Sequence, residues 1–391
     1  MTHAADTCDG LGESLPAPIV ADLPEGVPAL RTFYLYLSTG CNLHCRHCWI
    51  TPTFVNGKPS PGECIDFELL KAAVAEAKPM GLSSVKLTGG EPVLHPEFLK
   101  ISDFLTAENL RITMETNATL VDQDMARHLR ETNFSFIAAS LDSPDPGQHD
   151  RIRGVKGAFD AAVRGLSALV AAGFKPQIIM SVDRENVHQI EALIELAMSL
   201  GAGSVKFNPV VASGRGAEVH RKGQGLSFDE LLEMTHRVRG PLQDRYSIYL
   251  SAMVPPALLT VRELLRHGGS DGGCCHVRNI LGILGTGEMA LCGIGRNIPE
   301  LCFGMLGKDS LRRVWIEHPT LRRMRQDLAG QLPGVCGDCL HAGRCQTHCL
   351  AMNYEATGRL VNVSPLCAEA ERRGQFPSTR RISCGREHPA A

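Results

Sequence analysis

Three cysteines stand close together in the run Ser-Thr-Gly-Cys-Asn-Leu-His-Cys-Arg-His-Cys-Trp, at positions 41, 45 and 48. The spacing, three residues and then two, lets three thiolates converge on one metal centre from a single irregular loop. A structural zinc site needs four ligands, and no fourth cysteine lies nearby, although His44 or His47 could complete one. An iron–sulfur cube held by three cysteines instead leaves one iron open. Downstream, cysteines recur as Cys275, Cys292, Cys336, Cys339, Cys345, Cys349 and Cys367, with Gly287 between the first two. Seven thiols at such intervals exceed what core packing explains, and closed zinc ribbons are the competing reading. Cys8, Cys64, Cys302 and Cys384 are isolated and read as ordinary small residues.

The first cysteine loop must be carried by something rigid. It follows an apolar run, Phe33–Leu37, and five more runs of this kind recur at 84–87, 111–114, 134–140, 177–182 and 205–207. Their near-continuous apolar character predicts strands buried on both faces of a parallel sheet. Between the first two, Asp66 precedes an apolar stripe through Leu70, Ala73, Val74 and Ala77, which predicts a capped helix with Ile65 and Leu70 as its staple. Ser227 and Glu230 predict a capping box on a later helix. Repeated strand–helix units imply right-handed parallel crossovers, hence an α/β fold with a partial or complete barrel. Residues 31–267 are read as this barrel, 268–374 as a cysteine-rich second domain after a Gly-rich linker, 1–30 as a flexible lead-in and 375–391 as a loose tail.

The chain has 391 residues, fifteen cysteines and a formal charge of −2. That balance gives no footprint for nucleic acid, no apolar run is long enough to span a membrane, and the N-terminus lacks the features of a signal peptide. A cytoplasmic location is expected, where clustered thiols point to metal rather than to disulfides. At the end of the second strand lies Thr88-Gly-Gly-Glu-Pro92, whose paired glycines allow a close approach to the backbone and whose carboxylate could hold an ammonium group.

Together these motifs resemble the radical S-adenosylmethionine (SAM) superfamily from about Thr32 to Gly216. The resemblance implies a (β/α)6 partial barrel and a [4Fe–4S] cluster on Cys41, Cys45 and Cys48. It also implies SAM on the open iron, cleaved to a 5′-deoxyadenosyl radical. It further implies that His47 lies near the adenine, that Gly89, Gly90 and Glu91 form the methionine-amine site, and that Ser140 and Arg153 reach the ribose and carboxylate. The loop from Pro209 to Gly216 would pass near the cofactor. The later cysteines are similar to the SPASM extension of this superfamily, which holds two auxiliary [4Fe–4S] clusters. One would sit on Cys336, Cys339, Cys345 and Cys367, the other on Cys275, Cys292 and Cys349, its fourth position taken by Cys274 or Cys302 or left open.

The segment from Cys349 to Phe376 looks most like maturases of ribosomally made peptides. The implied function is peptide modification, by crosslink, excision or oxidation, with a peptide or protein substrate and a flavodoxin- or ferredoxin-like electron donor. The stretch before Cys41 is too short for a winged-helix leader-binding domain. The alternatives are a formylglycine-forming sulfatase maturase, an enzyme of tetrapyrroles or other small molecules, and a non-catalytic iron–sulfur or zinc protein. Glu115 and Asn117 could line the cavity, and His341, His348 and Asp338 could tune the later clusters. No residue is identified as a general base.

Overall fold

A computed structural model describes residues 23–54, 60–266 and 278–382. The N-terminal lead-in up to residue 22, the linker at 268–273, Cys274, Cys275, Cys8 and Cys384 lie outside the described residues. One ten-stranded sheet organises the molecule. Its first seven strands are β1 (Thr32–Tyr36), β2 (Ser84–Thr88), β3 (Arg111–Thr116), β4 (Phe134–Ser140), β5 (Gln177–Val182), β6 (Ser204–Pro209) and β7 (Tyr249–Ala252). They pair in chain order and all in parallel. The crossovers carry helices α1 (Phe67–Ala77), α2 (Phe98–Ala107), α3 (Gln123–Glu131), α4 (Pro146–Arg153), α5 (Ala158–Ala171), α6 (Ile190–Ser199), α7 (Gly216–Arg221) and α8 (Phe228–Arg237). This is a partial parallel barrel.

The other edge of the sheet is made from the far end of the chain. Strand β8 (Ile280–Ile283) runs parallel to β1, and β9 (Glu288–Ala290) and β10 (Cys302–Met305) follow it antiparallel. The C-terminal segment is fastened again at the base. Glu76 of α1 accepts hydrogen bonds from Ser310 and from the N–H groups of Leu311 and Arg312, filling the N-terminal donors of the helix Leu311–Glu317. Trp315 of that helix, fully buried, donates its indole N–H to the Pro28 carbonyl at 2.9 Å.

The six expected strands occur where their apolar runs placed them. β7 was not foreseen, because Tyr-Leu-Ser-Ala is short and follows a segment kinked at Gly240 and Pro241. The expectation that the strands are buried on both faces is corrected by the structure. Phe33, Leu35, Val85, Leu87, Ile112 and Met114 pack against the helices, whereas Tyr34, Lys86, Thr113 and Glu115, on the opposite face, are only half-buried. The apolar layer is therefore one-sided, and the concave face is polar. No described helix is long and apolar enough to cross a membrane.

Candidate active site

The loop bearing Cys41, Cys45 and Cys48 leaves the C-terminal end of β1 and is held by the loops that follow four other strands. After β2, Gly90 and Glu91 donate their N–H groups to the Ser38 and Gly40 carbonyls at 3.2 and 2.9 Å. A β-carbon on Gly90 would stand 1.7 Å from the Gly40 oxygen, so the close approach these glycines permit is to the chain's own backbone. After β3, the Asn117 amide donates to Asn42 at 2.8 Å and accepts from both the N–H and the hydroxyl of Thr119. At the end of α4, the Arg153 and Ile152 carbonyls accept from the His44 and Arg46 N–H groups. After β5, Asp183 and Glu185 each hold the Arg46 guanidinium at 2.6 Å. After β6, the Arg215 N–H donates to the Cys48 carbonyl at 2.9 Å. Four strand-end loops and the end of α4 thus converge on one three-thiol loop, at the barrel face where parallel α/β folds bind ligands.

The residues expected to serve the cofactor gather around these thiols. Glu91 is 1 % exposed and its carboxylate accepts from the Thr116 hydroxyl and from the Asn117 and Val93 N–H groups. Burial pushes its pKa up to about 7 against the pull of those three donors. Arg153, also buried, lies with Nε 2.8 Å from an Asp142 oxygen and Nη1 3.5 Å from the Cys45 sulfur. His47 stands 3.8 Å from Asp142, and burial lowers it to about 4, so its imidazole is neutral near pH 7. Ser140 ends β4, two residues before Asp142. Burial, with the Glu91 carboxylate second, raises the Cys41 thiol far above its ordinary range. Burial raises Cys45 as well, opposed by Arg153. Such thiols become thiolates when a metal displaces their protons, so they fit a cationic iron centre. Asp142, Asp183, Thr116 and Asn42 were not singled out from the sequence as site residues; their only signal was position, at or just beyond strand ends and beside the first cysteine.

The later cysteines form two groups. Cys336, Cys339, Cys345 and Cys367 line one cavity, walled by Pro255, Ala257 and Phe376, and the Cys367 thiol feels the other three. Cys292 lies within electrostatic reach of the Cys349 thiol and of Lys86, and burial pushes it up to about 12. Cys302 faces Glu288 and donates to the Gly295 carbonyl instead. Between Cys345 and Cys349, Gln346, Thr347 and His348 all adopt left-handed backbone, at φ of 49°, 66° and 71°. Non-glycine residues rarely do so, and the middle one of the three is held here by Asn353. The two N–H groups of its fully buried amide are shared among the Thr347 carbonyl and hydroxyl and the Leu360 and Asn362 carbonyls. The turn directs two cysteines four residues apart into different groups. The Nε2 atoms of His341 and His348 are buried without a hydrogen-bond partner. Among the described residues no three His, Cys, Asp or Glu side chains are close enough to hold a single metal ion.

Residues 35–197 match the model of the radical SAM superfamily. That stretch, from β1 into α6, is a domain of that superfamily. A [4Fe–4S] cluster and SAM are the cofactors of its members, and the protein is an enzyme of this type. The AdoMet-dependent heme synthase of Methanosarcina barkeri is 27 % identical over 342 residues, covering 85 % of this chain and 94 % of that protein. The mycofactocin maturase MftC of Mycolicibacterium smegmatis is 28 % identical over 362 residues, covering 90 % and 87 %. In structure, SuiB of Streptococcus suis bound to its precursor peptide SuiA superposes with a TM-score of 0.68 at 15 % identity, over 88 % of this chain and 76 % of SuiB. The protein anSMEcpe with bound AdoMet gives 0.65 at 16 % identity, over 88 % and 96 %. Both share the fold.

Proposed function

We propose that Cys41, Cys45 and Cys48 hold a [4Fe–4S] cluster whose remaining iron takes SAM, and that this radical SAM enzyme modifies a ribosomally made peptide. The observation that carries the radical chemistry is the convergence of four strand-end loops and the end of α4 on a loop with three thiols. When bound, the cluster and SAM supply an electron to the sulfonium and so a 5′-deoxyadenosyl radical.

The chain's own residues have separable tasks. The Gly89–Glu91 turn fixes the entry to the cysteine loop and offers backbone carbonyls to an ammonium group. Arg153 brings positive charge beside Cys45 and can turn part of its guanidinium to a carboxylate, which it grips at two points. His47, neutral, presents an aromatic face free of charge repulsion, and Ser140 offers a hydroxyl from the neighbouring strand end. Asp142 holds Arg153 and His47 in place.

Peptide modification is supported by the kinship with mycofactocin maturases over about nine-tenths of the chain. The polar concave face suits an extended substrate. A second reading, tetrapyrrole chemistry, is favoured by heme synthases of comparable identity. The later cysteines complete the proposal. Cys336, Cys339, Cys345 and Cys367 would hold one auxiliary [4Fe–4S] cluster, and Cys292 and Cys349, with Cys275, another, in a SPASM module that accepts an electron from the substrate. A flavodoxin- or ferredoxin-like protein would supply the first electron, in the cytoplasm. Anaerobic incubation of reconstituted protein with dithionite and SAM should release 5′-deoxyadenosine, and Cys41→Ala should abolish it. Release unchanged by that substitution would refute the assignment. Mass spectrometry after adding a peptide encoded beside the gene, or iron coproporphyrin III, separates the two substrate readings.

A further inference from the structure

The base of the barrel, at the opposite end of β1 from the cysteine loop, holds a positive group that the cofactor chemistry does not use. Arg278 stands two residues before β8. Its neighbour Asn279 donates to the Ala29 carbonyl and accepts from the Arg31 N–H, which fixes this segment to the start of β1. Arg325 lies on the helix Pro319–Ala329. Its Nη1 donates to the Trp315 carbonyl at 2.7 Å, and its guanidinium carbon lies 4.4 Å from the centre of the Trp315 ring. The Trp315 indole, tied to Pro28, thus brings Arg325 to the same corner of the molecule as Arg278.

Arg325 is only 5 % exposed, yet its Nε and Nη2 have no hydrogen-bond partner among the described residues. These two atoms form one edge of the guanidinium, whose parallel N–H bonds suit two oxygens of one oxyanion. The Nε of Arg278 is likewise buried and unpartnered. Elsewhere on these two helices an arginine meets an acid one turn on, Arg313 with Glu317 and Arg323 with Asp327. The same offsets from Arg325 reach only Leu321 and Ala329. Burial, and then the Arg278 charge, push the Arg325 pKa down to about 10, so it remains a cation near pH 7. A buried cation whose charged neighbour is a second cation is costly by itself. Bracing Trp315 requires only Nη1 and the ring contact, and no second arginine.

We propose that Arg278 and Arg325 form a phosphate-binding site at the base of the barrel, separate from the active site. A phosphate group carries a charge of about −1.5 to −2 at pH 7, which balances two guanidinium groups; a single carboxylate would leave one of them unanswered. The Nε–Nη2 edge of Arg325 takes two phosphate oxygens, and the half-buried Arg278 meets the group from the start of β8. The bound group then bridges β8 to the helix Pro319–Ala329. The phosphate is either free or the monoester of a larger molecule, and the chemistry of recognition is the same.

The test titrates the reconstituted full chain by anaerobic calorimetry, in buffer without phosphate or sulfate. The probes are inorganic phosphate, ribose 5-phosphate and acetate at matched ionic strength. Inorganic phosphate should bind saturably, at least about tenfold more tightly than acetate, and should raise Tm as its concentration rises. Arg325→Met and Arg278→Gln should each weaken phosphate binding at least about tenfold, as loss of a charge-assisted contact does. Arg325→Lys keeps the charge without the fork and should fall between them and the wild type. Arg278 is half-buried and its replacement opens no core, so Arg278→Gln decides the matter if Arg325→Met does not fold. Ribose 5-phosphate bound as tightly as inorganic phosphate assigns the site to a phosphorylated molecule, and its exclusion assigns the site to free phosphate. No saturable phosphate binding, acetate bound equally well, or an affinity unchanged in Arg278→Gln overturns the proposal. The titration needs no SAM cleavage, so its outcome stands apart from the radical reading.

Discussion

Gly90→Ala probes how the barrel holds its cysteine loop. The new β-carbon would lie 1.7 Å from the Gly40 oxygen and 2.4 Å from its carbonyl carbon, both backbone atoms, whereas real β-carbons keep to 3.0 Å or more. The two loops must part by more than 1 Å. Three hydrogen bonds cross that seam: Gly90 N–H to Ser38, Glu91 N–H to Gly40, and the Ser38 hydroxyl to the Glu91 carbonyl. At 0.5–1.5 kcal/mol each, their loss costs about 2–4 kcal/mol. For a domain of 150–250 residues this lowers Tm by roughly 4–16 °C. Because the displaced segment leads into Cys41, iron content after anaerobic reconstitution should also fall, by about four atoms if the first cluster is lost. Gly343→Ala is the control, since nothing lies within 4 Å of its β-carbon, and it should melt and load as the wild type does. Calorimetry and iron and sulfide analysis read the outcome. A Gly90→Ala protein that melts within about 2 °C of wild type with full iron would show that this seam does not position the loop.

Asn117→Asp should destabilise the protein by about 1–3 kcal/mol, because a carboxylate cannot donate to Asn42 and would be buried close to Glu91; a urea midpoint equal to wild type would contradict this. Cys336→Ala and Cys292→Ala should each remove about four irons while Cys41, Cys45 and Cys48 still load, as Mössbauer quantification would reveal. The His236–Glu263 pair, joined at 2.8 Å, fastens α8 to the helix Val261–Leu265. Glu263 raises His236 above its ordinary value, so this stability is complete below about pH 6.5 and fades as pH rises through the elevated value. Glu263 is lowered, burial being outweighed by its hydrogen bonds to His236 and Thr260, so its share is present above about pH 4.5 and fades in more acid solution. The pair should therefore contribute most between those limits, and His236→Phe should lower the melting temperature there and flatten its fall on either side; an unchanged profile would count against it.

Local signals were legible in the sequence. Asp66 caps α1 by accepting from Leu69, and Ser227 and Glu230 close both halves of the capping box on α8. The cysteine loop follows β1 as its apolar run indicated. What stayed hidden depends on distant partners. Ile280–Ile283 is too short and glycine-interrupted to announce that it pairs with β1, about 250 residues earlier in the chain. The Asn117 brace involves side chains that any loop could carry. The lysines in β2 and β6 looked like imperfections in apolar strands, because periodicity over five residues cannot tell a one-sided sheet from a two-sided one.

The left-handed turn at Gln346, Thr347 and His348 has a consequence for assembly. Residues in that conformation cost of the order of 1–3 kcal/mol each, and Asn353 alone holds four oxygen atoms of the surrounding loops. Such a turn behaves as a hinge pin with one stable setting. Cys345 and Cys349 project from its two ends, so neither thiol can shift without dragging the other. Two metal centres built on them would fill in an order: the first to form locks the pin and presents the second set ready-made, and stripping either one loosens both.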